Sequence, residues 1–280
     1  MKKCIIIINK FKEAASVIAD EIADFLGQKG ISASRIVFGN EKDVVNFSDY
    51  SFAVTLGGDG TVLYAARKCA PLGIPVFPVN LGEFGFIAGI SPSDWKEPMT
   101  SFLEGKLKLD SRMMLCTEVV RKNETVYTSS SLNDTVIKVA GSAKLAELDV
   151  TCNDYSLGRF RSDGIITATP TGSTAYSAAA GGPIADPLLN VIVFSPICPF
   201  SLSNRPLVLS GDSVLEVTVK DSRGAEILLT CDGQESFPLQ TEDKIVIRRD
   251  ETEVRLVGCG KSEFYTALKS KLNWSGGPHA

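Results

Sequence analysis

The sequence predicts two domains, an N-terminal α/β domain built on a parallel sheet and a C-terminal, mostly antiparallel domain resembling a β-sandwich. Three observations carry this. Up to about residue 105, β-branched apolar runs of strand length alternate with stretches of helical periodicity, the pattern of βαβ units. From about Lys106, short β-rich segments follow one another with turn residues between them, as in antiparallel sheets. The chain has 280 residues, 44% of them hydrophobic, which is enough apolar material for two cores. The expected division is 1–105 and 106–258, with a closing helix at 262–272 packing back on the first domain.

Taken in order, Cys4–Ile8 is a continuous β-branched run suited to a strand buried on both faces. Residues 13 to about 28 are helical in period through Val17, Ile18, Ile22, Phe25 and Leu26, and Gly30 stops them. Ser34–Phe38 is a second strand and Phe52–Leu56 a third, which runs into Gly57-Gly58-Asp59-Gly60-Thr61. A helix is expected from Thr61 to about Ala70, then a buried strand at Val76–Val79 and the loop Asn80-Leu81-Gly82-Glu83-Phe84-Gly85-Phe86. This is a Rossmann-like context, in which ligands lie at the carboxyl ends of strands. The later strands include Cys116–Arg121, Thr125–Ser130, Thr135–Val139, Leu148–Cys152, Ile165–Thr169, Val214–Val219, Ile227–Cys231, Lys244–Arg248 and Val254–Val257. Ser262 to about Leu272 closes the chain as an amphipathic helix through Phe264, Leu268 and Leu272.

Composition removes several classes of function. A net charge of -4 gives no general attraction to nucleic acid or to an anionic membrane. No apolar run has the length of a membrane span, and Cys4–Ile8 is too short for a signal peptide. The seven cysteines are odd in number and scattered, without a C-x-x-C pair, as expected of reduced core residues in a cytoplasmic protein. The single histidine, His279, lies in a Gly-Gly-Pro tail, so histidine triads and histidine-rich metal sites are excluded.

What remains is chemistry carried by glycine, carboxylate and hydroxyl. Glycines that accept positive φ, followed by a helix N-terminus, expose N–H donors suited to phosphate. Gly57, Gly58, Gly60 and Thr61 are therefore candidate phosphate ligands. Asp59 in their midst suits a metal ligand or a base that takes a proton from an attacking hydroxyl. On residues alone, the same stretch is equally an ordinary strand-to-helix turn with an Asx cap. It matches neither G-x-G-x-x-G nor G-x-x-x-x-G-K-[ST]. The loop ending at Phe86 is either a packed loop or a ligand wall. Asn133 and Asp134 pair an amide with a carboxylate, the groups that grip a sugar diol. Ser162 to Tyr176 is a buried strand entering a hydroxyl-rich turn and then a small-residue helix at 177–181; the hydroxyls serve equally as helix caps. Tyr176 among small residues offers a flat face to a nucleobase.

With these residues in place the chain resembles the NAD kinases, the family that phosphorylates NAD to NADP. The matching stretches occur in the family's order: Gly57-Gly58-Asp59-Gly60-Thr61, Asn80 through Gly85-Phe86, Asn133-Asp134, Asp163-Gly164 through Tyr176, Gly181-Gly182-Pro183-Ile184 and Ser195-Pro196-Ile197-Cys198-Pro199. The resemblance implies phosphoryl transfer from ATP, or also polyphosphate, to the adenosine 2′-hydroxyl of NAD. It implies a cleft between two domains, a divalent metal such as Mg²⁺, and a homodimer or homotetramer. Carried over, Asp59 would meet the 2′-hydroxyl as the catalytic residue, with Gly60 beside it. Asn133 and Asp134 would hold a ribose, Phe86 would line the pocket, and Asp163, Thr174, Ala175 and Tyr176 would receive base and ribose groups. The chain departs from the family at Tyr64 and Glu83, where basic residues are usual, and at Ala179 and Phe200, where serine and histidine are common; Arg67, Arg159 and Arg161 are candidate replacements for the lost charge. Lipid and sugar kinases share the Gly-Gly-Asp-Gly-Thr turn but leave the 169–176 block unexplained. An NAD-binding protein without chemistry would be expected to lack the carboxylate.

Overall fold

Five successive buried residues, Cys4 to Ile8, are possible only where a strand is covered on both faces. In the computed structural model, which describes residues 2–12, 14–39, 45–82, 85–141, 145–221 and 224–274, this run is β1 (Lys3–Ile8). The chain forms two compact units, Met1–Arg112 with Thr252–Ala280, and Met113–Glu251. Glu83, Phe84 and His279 lie outside the described residues.

The first unit continues with α1 (Ala14–Gln28), β2 (Ser32–Val37), β3 (Phe52–Gly57), α2 (Asp59–Cys69), β4 (Val76–Asn80) and α3 (Lys96–Leu103). The strands are parallel in the order β2-β1-β3-β4. One face of the sheet, from Cys4, Ile6, Val54, Leu56, Phe77 and Val79, packs with Ala15, Ala19, Ile22 and Leu26 of α1 and Met99 of α3. Each fully buried aliphatic chain here contributes roughly 1.5–3 kcal/mol. Val17, expected on the buried stripe of α1, is 60% exposed, because the small Ala15 and Ala19 let the helix approach the sheet on a face turned away from it. The strand order reverses between β1 and β3. That is the point where an open α/β sheet leaves a crevice, and β3 delivers Gly57 there beside Asn9.

The second unit takes its strands from β5 (Leu109–Arg121), β6 (Glu124–Ser131), β7 (Asp134–Ala140), β8 (Ala146–Cys152), β9 (Tyr155–Ser162) and β10 (Gly164–Ala168). After the short α4 (Tyr176–Ala179) come β11 (Val191–Ile197), β12 (Leu207–Ser210), β13 (Leu215–Asp221), β14 (Glu226–Cys231), β15 (Glu235–Leu239) and β16 (Lys244–Val257). One sheet is antiparallel in the order β12-β11-β10-β7-β14-β15. Facing it are β9, β8, β13 and the first part of β16, with β5 and β6 paired on beyond. Ile137, Ile165 and Leu229 from one layer share a core with Leu148, Val217 and Ile247 from the other, and Phe160 meets Phe194 edge-on at 5.3 Å. This is a β-sandwich with alternating inward residues. β16 is one strand where two short ones were expected: the charged stretch 249–253 stays extended between its apolar ends. Past Arg249–Glu251 it enters the first unit, where Leu256 pairs in parallel with Val76, and α5 (Lys261–Leu272) follows.

Candidate active site

The turn after β3 is built by close approach. None of Gly57, Gly58 and Gly60 has positive φ, contrary to the reason expected for them. A Cβ on Gly57 would lie 2.2 Å from the Thr61 Oγ1 and 3.1 Å from the Asn9 side chain. Helix α2 begins at Asp59, two residues before the expected start, with Gly58 extended as its N-cap. Asp59 thus occupies the first helical turn, where a negative charge meets the positive end of the helix dipole. Thr61 is buried with its Oγ1 against Gly57 and without a hydrogen-bond partner among the described residues, while its N–H closes onto Gly58 O at 3.0 Å.

The Asp59 carboxylate is held by the loop after β4. Oδ2 accepts the Phe86 N–H at 2.7 Å, and Oδ1 accepts those of Ile87 and Ala88 at 3.2 Å each. Gly85 is needed there, since a Cβ on it would stand 2.6 Å from Oδ1. A carboxylate has about four acceptor directions. Three are taken by the loop, and among the described residues the fourth, on Oδ2, has no hydrogen-bond partner. Phe86 itself is half-buried, its ring 6.4 Å from that of Phe264. It lines a cavity of about 370 Å³ with Asn80, Ile87, Cys259, Thr266 and Lys271.

In the second unit, Asn133 and Asp134 lead into β7, and a cavity of about 340 Å³ opens there between Asn133, Asp134, Val136, Ala175, Tyr176 and Asp232. The turn at 132–134 is clamped from two sides. On one, the Asp232 carboxylate accepts the N–H groups of Leu132 at 3.1 Å, Asn133 at 2.7 Å and Asp134 at 3.3 Å, while the Asp232 N–H returns to Asp134 O at 2.9 Å. On the other, the Thr169 N–H bonds Asn133 O at 2.9 Å, and Gly172 presses so close that a Cβ would lie 2.0 Å from the same oxygen. The Asn133 Oδ1 is buried without a hydrogen-bond partner among the described residues. An amide oxygen in that condition wants a donor from a ligand. Asp134 is 5% exposed, and burial, then the charge of Asp232, push its carboxyl up to about 7.

Asp232, which lines this cavity and clamps its turn, is a residue that sequence reasoning missed. Asp232-Gly233 between two strands reads as a hairpin turn, and only its unusual φ of +54° and its contacts across 98 to 100 residues set it apart. Asp163 sits just before the other end of β10, exposed, about 20 Å along the strand from the Asn133 end at ~3.3 Å per residue. Thr174 ends a short 3-10 turn, with its hydroxyl on Thr171 O at 3.3 Å. Ala175 and Tyr176 reach the cavity, at the N-terminus of α4, which starts one residue before the expected helix.

The candidate replacement cations have other partners or positions. Arg159 makes two bonds to Asp149, at 2.7 and 3.0 Å, and Arg161 pairs with Glu147 at 3.3 Å across β8 and β9. Arg67 lies in the last turn of α2, about 12 Å from Asp59 at ~1.5 Å per residue. Tyr64 packs on Phe38 at 5.2 Å, and Phe200 lies under the Arg161 guanidinium at 5.3 Å. Ala179 is exposed at the end of α4. Among the described residues no group of three or more His, Cys, Asp or Glu is placed to hold a metal ion, and no helix is long and apolar enough to cross a membrane.

Comparison with known proteins bears on both sites. Residues 39–107 match the family model described as ATP-NAD kinase N-terminal domain, and residues 132–259 match that of the ATP-NAD kinase C-terminal domain. The chain is 47% identical over 281 residues to an NAD kinase of Treponema denticola, covering 99% of this chain and 98% of that protein. It is 36% identical over 283 residues to an NAD kinase of Koribacter versatilis, covering 98% and 99%. Among solved structures it is similar to yeast NADH kinase complexed with NADH, with TM-score 0.86 and 24% identity over 99% of this chain and 89% of that one. It is also similar to an NAD kinase from Archaeoglobus fulgidus in complex with ATP, with TM-score 0.77 and 23% identity over 97% and 98%. At these identities the structural likeness is one of fold.

Proposed function

Since the chain belongs to the NAD kinase family, a family of phosphotransferases, we infer that its residues carry phosphoryl transfer from ATP to the adenosine 2′-hydroxyl of NAD in the following way. The observation that carries the reading is the Asp59 carboxylate, fixed by three backbone donors at a helix N-terminus, with one acceptor direction on Oδ2 unpartnered among the described residues. A hydroxyl donating to that direction is held in place for attack, and its proton passes to Oδ2 as the loose transition state makes it more acidic. Gly58, whose Cβ position has nothing within 4 Å, leaves the start of α2 open to phosphate oxygens, with Gly57, Gly60 and Thr61 beside it as the further candidate phosphate ligands. In the second unit, Asn133 and Asp134 bind ribose hydroxyls while Ala175 and Tyr176 receive a base, Tyr176 by stacking. The divalent ion expected with this chemistry would bridge the triphosphate oxygens, its further coordination left to Asp59 and the substrate phosphates. We assign the exposed Asp163 to the same substrate, delivered to the site of a neighbouring subunit in a homodimer or homotetramer; light scattering reading a monomer would remove that assignment. A cytoplasmic location accords with this substrate pair.

The test is to incubate the protein with Mg-ATP and a panel of NAD, NADH, diacylglycerol and fructose 6-phosphate. NADP as product is expected; a phosphorylated lipid or sugar alone overturns the reading. Asp59→Asn removes the charge at nearly the same shape. It is expected to lower kcat by roughly two to four orders of magnitude, the range of a general base, with NAD affinity within a few-fold. An amide also sets an N–H₂ against one loop donor, at a cost of about 1 kcal/mol of stability. Loss of stability with normal turnover would leave Asp59 as a cap only.

A further inference from the structure

Two of the three peptide groups that donate to Asp59 are held at their opposite ends by the C-terminal segment. A trans peptide is planar, with its C=O and N–H pointing in opposite directions, so fixing the oxygen fixes the hydrogen. The Gly85 carbonyl and the Phe86 N–H belong to one such plane. That carbonyl accepts from the Lys271 Nζ in the last turn of α5, and the Phe86 N–H reaches Asp59 Oδ2. The Ile87 carbonyl and the Ala88 N–H form a second plane. There the Cys259 thiol donates to Ile87 O at 2.8 Å, and the Ala88 N–H reaches Asp59 Oδ1. Phe264, also on α5, packs on the Phe86 side chain between these two points. Cys259 is buried and burial holds its thiol in the protonated, donating form, with its pKa pushed up to about 12. A cation on the first carbonyl polarises its peptide, which makes the Phe86 N–H the stronger donor to Oδ2.

We propose that Lys271 and Cys259 are positioning residues of the reaction, acting through the 85–88 peptide planes to hold the Asp59 carboxylate in line with the substrate hydroxyl. This rests on the reading of Asp59 as the base. Lys271 is half-buried at a helix end, so Lys271→Met is expected to fold, with Lys271→Gln as the second choice if it does not. Lys271→Met is expected to lower kcat about tenfold with the KM for NAD within twofold, because the affected group acts in the transition state. Lys271→Arg, which keeps a cationic donor, should restore kcat to within threefold. Cys259→Ser keeps a donor and should turn over faster than Cys259→Ala. In an Asp59→Asn background, Lys271→Met should have no further effect on kcat, since a residue acting through the carboxylate has nothing left to act on. The two readings fail differently. Normal turnover of Asp59→Asn alone ends the base reading. A collapsed Asp59→Asn together with unchanged turnover in Lys271→Met, or a full tenfold loss in the double variant, overturns the positioning role.

Discussion

Tyr176 is 40% exposed at the start of a helix of four residues, its ring beside the cavity that Asn133 and Asp134 enter. The exposed part of the ring is a flat face available for stacking on a base. Tyr176→Ala should cost about 1–3 kcal/mol of NAD binding, raising KM for NAD far more than it lowers kcat. Unchanged NAD affinity would return the ring to a surface role. Asp134 carries a second expectation. Its carboxyl titrates near 7 in the folded chain against 3.8 in the unfolded one, so the folded state keeps a proton that the unfolded state gives up between these values. Stability from this group is complete at low pH and lost as pH rises toward 7. Asp134→Asn should therefore melt higher than the native protein at pH 8 and show little difference at pH 4; equal melting shifts at both pH values would contradict it. Asn133, Asp134, Ala175 and Tyr176, singled out in the sequence, are brought together by the fold at one cavity, while Asp59 belongs to the first unit. Asp232 was not legible there, since its contacts span the whole of the intervening sandwich and leave no local mark.

At the scale of elements, the glycines of the β3–α2 turn differ in what they allow. A Cβ on Gly57 meets Thr61 Oγ1 at 2.2 Å, whereas one on Gly58 has nothing within 4 Å. Gly57→Ala should destabilise by about 1–3 kcal/mol through overpacking, and Gly58→Ala should be nearly neutral in a denaturant titration. Equal costs would mean that backbone freedom, not space, requires them. β3 was visible as a buried run, and the helix after the glycines was expected from Thr61, whereas it starts at Asp59 with the extended Gly58 as its N-cap. The short α4 was found by its small residues and misplaced by one. β9, β11, β12 and β15 were not among the strands singled out; β9 is polar and exposed along much of its length, and β12 is a four-residue apolar strand that is itself largely exposed.

For the whole molecule, the fold class was legible because parallel and antiparallel sheets demand different burial patterns, continuous in β1 and alternating in β8 and β13. The exact passage of the chain from one unit to the other was not, because it occurs twice inside long strands, β5 and β16, and not in a linker that composition would betray. NAD in hundredfold excess over its Kd should stabilise the protein by about 2.7 kcal/mol, a shift readable in Tm. No shift would remove NAD from the ligands. The discontinuity of the first unit also orders events in time. On the ribosome, Asp59 and its strands emerge early, while Cys259 and α5 emerge only after the entire second unit has been made, on the order of ten seconds later at usual rates of synthesis. The nascent chain thus carries its carboxylate long before it carries the lysine and thiol that bond the loop around it, and those contacts close only after the second unit has been made.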